Sequence, residues 1–131
     1  MKELNRKIGD MEYDGLITDL NPPVEVRGRV IAKQSSEKTF LRGTIFARSK
    51  ADSKLYILGS TPDTGDTLTP DCILCDDSEI GTVNDLDTPV YTAGCFHPGK
   101  VTVADGYTIS DADLDELRKR NIVFRMPHAA N

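Results

Sequence analysis

Cys72, Cys75, Cys95 and His97 are the residues whose types and spacing could do chemistry. Cys72-x-x-Cys75 followed by Cys95-x-His97 has the ligand types of a Cys3His zinc site, and a Cys-x-x-Cys pair can also cycle between dithiol and disulfide. To share one metal, the chain must turn between the two thiolates. Residues three apart on a strand point to opposite faces. Ile73-Leu74 is a poor turn, and no glycine or proline lies inside the pair. A redox pair wants a helix N-terminus directly after its first cysteine, but the sequence there runs Ile-Leu-Cys-Asp-Asp. Free cysteine is itself among the most buried residue types. The residues therefore favour core cysteine. A small zinc-binding or redox domain using Cys72, Cys75, Cys95 and His97 is the alternative.

Other chemistry is thinly supplied. His97 and His128 are the only histidines, and His97 precedes Pro98-Gly99, which suits a turn. Asp71, Asp76, Asp77 and Glu79 could bind calcium, but the twelve-residue calcium loop with its central glycine and terminal glutamate is absent. No Gly-x-Gly-x-x-Gly, P-loop or nucleophile elbow occurs. The expectation is a protein without catalytic residues, cofactor or metal, and not an enzyme.

The elements that must position these residues read as mainly β. The chain has 131 residues, suited to one domain able to bury a core. An apolar fraction of 38% and the lack of tryptophan make that core thin. Leu68 to Asp77 reads as a buried strand between loops. Val24 to Ala32 alternates, with Val24, Val26, Gly28 and Val30 on one face and Glu25, Arg27 and Arg29 on a charged outer face. Thr39–Ala47 resumes β character, and Arg42-Gly43 inside it marks a bulge or close backbone approach. Ser49 to Ser53 is a hairpin loop into Leu55–Leu58, and Gly59 to Pro70 a longer loop. Asp76 to Thr88 reads as an acidic loop, Pro89 to Phe96 as a strand, and Val101–Val103 as a short one. Ser110 caps one helix, with Asp113 reaching back to it, Arg118, Lys119 and Arg120 at its far end and Asn121 ending it. Ile122–Met126 is then a strand.

Charge narrows the partners. Residues 51–117 carry only Lys54 and Lys100 as basic residues against fourteen acids, which would repel a phosphate backbone, so no nucleic-acid role is expected. No apolar run approaches the roughly 20 residues of a spanning helix, and the first residues lack a secretion signal's apolar stretch. Three cysteines fit a reducing compartment. Synthesis in a cytoplasm, away from membranes, is the expectation. Residues 1–21 are mixed and charged, with scattered apolar residues. They read either as a frayed terminus or as an arm that orders on a partner.

Four segments, in order, resemble the head decoration proteins of tailed bacteriophages, the family of the lambda decoration protein D. They are Leu41-Arg42-Gly43-Thr44-Ile45-Phe46, Cys72-Ile73-Leu74-Cys75-Asp76-Asp77, Val90-Tyr91-Thr92-Ala93-Gly94-Cys95-Phe96 and Leu117-Arg118-Lys119-Arg120-Asn121-Ile122-Val123-Phe124. Asn121 stands where the family usually has glycine. The resemblance implies a β-clip-like small domain over 22–131, with one short C-terminal helix and an extended N-terminal arm over 1–21. It also implies a homotrimer on the outer capsid surface of the virion at local threefold sites, binding the major capsid protein and stabilising the expanded head. Such a protein would be made in the host bacterial cytoplasm. By the same resemblance the arm orders on the shell, which makes Leu4, Ile8, Met11, Tyr13, Leu16, Ile17 and Leu20 the capsid-binding candidates.

Overall fold

The computed structural model describes residues 14–61 and 68–127. The fold is mainly β with one short helix near the C-terminus. Its strands are β1 (Ile17–Asp19), β2 (Glu25–Ile31), β3 (Lys38–Phe40), β4 (Ile45–Ser49), β5 (Leu55–Ile57), β6 (Leu68–Leu74), β7 (Ser78–Ile80), β8 (Leu86–Phe96) and β9 (Ile122–Phe124). Helix α1 (Asp111–Lys119) lies between β8 and β9.

Strand β8 organises the fold. It pairs antiparallel with β2, β1 and β6, and parallel with β9. β4 joins β6 to β5 through antiparallel ladders, while β3 and β7 form a separate two-stranded sheet. The main sheet is apolar on both faces, and continuous apolar runs are what such a sheet needs. Cys72, Leu74, Phe46 and Val90 enter one buried cluster, covered by Phe40 of β3 and Ile80 of β7. Ile73, Cys75, Ile45 and Tyr91 enter another, covered by Leu117 of α1 and Ile122 of β9. Period-two alternation along β6 thus sends Cys72 and Cys75 to different clusters.

Helix α1 starts where its sequence says. The Asp113 N–H donates to Ser110 Oγ at 3.1 Å, and the Ser110 N–H donates back to Asp113 Oδ2 at 3.0 Å, a reciprocal capping box. Asp111 sits in the first turn and Arg118 and Lys119 in the last, matching the dipole. Asn121 follows at φ +64°, the left-handed position that turns the chain into β9.

Several expectations change in detail. Thr39–Ala47 is two strands in different sheets rather than one, because Gly43 breaks it at φ +95°. A Cβ there would lie 2.7 Å from the Lys100 carbonyl oxygen, so the glycine does mark a close backbone approach. The acidic stretch 76–88 holds β7, and β8 begins at Leu86, because Ile80 and Leu86 supply apolar anchors within it. Val101–Val103 contributes only a single bridge, Thr44 to Thr102. The expected buried face of β2 is open instead. Val26 is 51% and Val30 39% exposed, because no layer of the described chain covers that part of the sheet.

Candidate binding surface

The arm residues divide into three groups. Leu4, Ile8, Met11 and Tyr13 lie outside the described residues. Leu16, 2% exposed, is part of the core beside Ile45, Tyr91 and Phe96, and Ile17 packs against the same cluster while β1 pairs with β8. Leu20 is 77% exposed. Residues 14–19 are therefore built into the folded domain, although the sequence reading placed them in an arm ending at residue 21. The reason is local: an apolar pair, Leu16-Ile17, finds an open edge of β8 in reach.

Arg42 fastens the root of this segment. Its Nε donates to Asp14 Oδ2 at 2.6 Å, and its Nη1 donates to the Cys75 carbonyl at 3.0 Å and the Tyr91 hydroxyl at 2.5 Å. The guanidinium also lies 5.4 Å from the centre of the Tyr91 ring, a cation–π contact. Asp14 accepts the Leu16 N–H at 3.0 Å, so one carboxylate ties the chain's entry to the Arg42 turn. Partial burial opposes ionisation of Asp14, but the Arg42 hydrogen bond and the Leu16 N–H together hold its carboxyl below the usual range. Burial pushes the Tyr91 hydroxyl up to about 12, with Arg42 pulling the other way.

Asp71 sits at an irregularity in the ladder. Phe46 pairs with Cys72 and Ala47 with Pro70, which leaves Asp71 as the extra residue of a bulge. Its carboxylate is nearly buried between two arginines: Arg29 Nε of β2 is 3.8 Å from Oδ2, and Arg120 Nε after α1 is 3.6 Å from Oδ1. These charges link β2, β6 and the end of α1. The calcium reading for Asp71 does not suit a carboxylate whose nearest charged neighbours are cationic.

The three cysteines are buried and form no disulfide with one another. Burial, then the neighbouring Asp71, pushes the Cys72 thiol well up. Cys95 Sγ contacts Thr18 Oγ1 at 3.3 Å, across the β1–β8 pairing. His97 Nδ1 accepts the Gly99 N–H at 2.9 Å, the turn arrangement its Pro-Gly context suggested. Among the described residues, no group of three metal-ligating side chains converges. His128 is outside those residues. Among them also, no helix is long and apolar enough to cross a membrane.

In the sequence Arg42 stands out only beside Gly43, at a bulge or close backbone approach, and within the first of the four family-like segments. Its partners Asp14, Cys75 and Tyr91 come from elsewhere in the chain, and no local pattern announces such a convergence. Fold and site define a small mainly β domain whose polar clusters fasten strands to one another. No family model, curated protein or solved structure matches this chain.

Proposed function

We propose that the chain is a non-enzymatic viral capsid decoration protein. It binds the outer surface of the expanded head as a homotrimer at local threefold sites, with the major capsid protein as partner. The observation that supports this most is that the four segments bearing the family resemblance meet one another. Arg42 of the first reaches the Cys75 carbonyl of the second and Tyr91 of the third. The second and third pair through β6 and β8. The fourth lays β9 on β8 and sends Leu117 into the cluster that holds Tyr91.

The physical mechanism is multivalency. A trimer seated where three capsid subunits meet makes the same contact three times, so contacts that are weak singly combine through effective concentration. Leu16 and Ile17 spend their apolar surface inside the domain, so the shell contact falls to Leu4, Ile8, Met11 and Tyr13, with exposed Leu20 as a further candidate. The Asp14–Arg42 link holds the chain in place at residue 14.

Binding to expanded shells, measured by co-sedimentation, tests the reading. Full-length protein should saturate shells in multiples of three and carry a threefold mass in solution. Deleting residues 2–13 should abolish shell binding and leave the threefold mass intact. Equal binding by that truncation would remove the arm assignment, and a monomer without shell affinity would remove the function.

A further inference from the structure

We infer that the open edge of β2 is a twofold self-association site, where two copies of this chain pair their β2 strands antiparallel about Val26. On its inner side β2 pairs with β8 from Glu25 to Ile31. On its outer side the ladder with β5 consists of one position, Ile31 opposite Leu55. From Glu25 to Val30, then, the outer edge has no strand partner among the described residues. Unpaired edges of this kind are templates for a further strand.

Two hydrogen bonds show which residues aim their main chain outward. The Ala32 N–H donates to the Leu55 carbonyl on the β5 side. The Gly28 carbonyl accepts from Arg29 Nη1 at 3.0 Å, so it is not committed to β8 alone. Main-chain direction alternates along a strand, so Val24, Val26 and Gly28 present their N–H and C=O groups to the outer edge. Val26 and Val30, two of the large exposed apolar residues, both lie on this strand.

Charge selects the partner and the register. A strand can pair with its own copy about an outward-facing or an inward-facing residue; Glu25, Arg27 or Arg29 at the centre would meet its own like charge, and Val30 abuts the β5 junction at Ile31, which leaves Val26 or Gly28. Centring on Gly28 sets Arg27 opposite Arg29 of the other copy, twice. Centring on Val26 sets Glu25 opposite Arg27 of the other copy, twice, in the non-hydrogen-bonded positions where facing side chains approach most closely. Val26 then meets its own copy on the opposite face, and Val24 pairs with Gly28, giving about six main-chain hydrogen bonds. Glu25 and Arg27 already stand 3.9 Å apart within one copy, both exposed, so the two copies form a square of alternating charge. Val26, half exposed in the single chain, packs against its own copy in the same step. The pairing stands on β2 alone and does not require the threefold reading.

Self-association of the full chain, followed by sedimentation velocity up to near-millimolar concentration, tests this with Glu25→Arg, Arg27→Glu and the double exchange. Each single reversal places four like charges together and should weaken the twofold contact by about tenfold or more. The double exchange should restore it. Both side chains are solvent-exposed, so thermal melts should stay at the wild-type midpoint in all three variants. A second check is Val26→Cys with a short bis-maleimide, since the native thiols are buried; a covalent pair of chains is expected. No twofold association in the wild type would overturn the inference, as would single reversals without effect or a double exchange that fails to recover. Shell binding is read separately, so loss of either result leaves the other interpretable.

Discussion

Replacing Leu16 by alanine tests whether the segment after residue 13 belongs to the domain. The side chain is 2% exposed and packs in the cluster with Ile45, Tyr91, Phe96 and Leu117. Truncating a buried leucine removes transfer free energy and leaves a cavity, a loss of about 2.7–5 kcal/mol. Leu16 immediately precedes β1, a three-residue strand paired with β8, whose short ladder lets neighbours relax inward, so the lower part of that range, about 3 kcal/mol, is the expectation. For a domain of this size the midpoint of thermal unfolding should fall by roughly 10 °C. The assay is urea unfolding followed by circular dichroism, with Leu20→Ala as the control. Leu20 is 77% exposed, so its truncation should stay within about 0.5 kcal/mol of wild type. If Leu16→Ala also stayed within about 0.5 kcal/mol, the packing of β1 against β8 would be refuted, and with it the separation of a built-in root from a shell-binding arm.

Asp14→Asn should lower stability at neutral pH and lose its effect in acid. The folded carboxyl titrates below its unfolded value, so its contribution is present above about pH 4 and disappears as pH falls through the folded pKa. Urea midpoints of the two proteins should converge as pH falls through the folded Asp14 pKa, and a constant gap would contradict the Arg42 link. Asp71→Asn should cost about 1–3 kcal/mol in the same assay, because it leaves Arg29 and Arg120 facing a neutral group in a nearly buried site; no change would mean the three charges act independently. Strong chelation should leave the thermal midpoint unchanged, and Cys72, Cys75 and Cys95 should react with a thiol reagent only as the chain unfolds. A stoichiometric zinc whose removal unfolds the protein would instead promote the Cys/His alternative.

The parts of the fold that the sequence specified are those encoded locally. The α1 boundaries follow from Ser110, Asp113 and Asn121, each acting within one turn of the chain. The division of Cys72 and Cys75 follows from strand periodicity. What escaped was set by contacts distant in sequence. β7 is a strand because Ile80 finds Phe40 and Phe46, and nothing in an acidic stretch reveals that. The alternation of β2 correctly sorted its residues onto two faces, but which face a second layer covers depends on the rest of the sheet. Asp71 read only as one of four carboxylates lacking a calcium-loop pattern, whereas its neighbours are arginines from β2 and the end of α1. Leu16 and Ile17 looked like other scattered apolar residues until β8 supplied an edge for them.

Imaging expanded shells mixed with saturating protein tests the proposed function most directly. Decoration predicts three-lobed density over the local threefold positions, present with the full chain and absent when residues 2–13 are removed. Bare shells at saturation, or density confined to other positions, would contradict it.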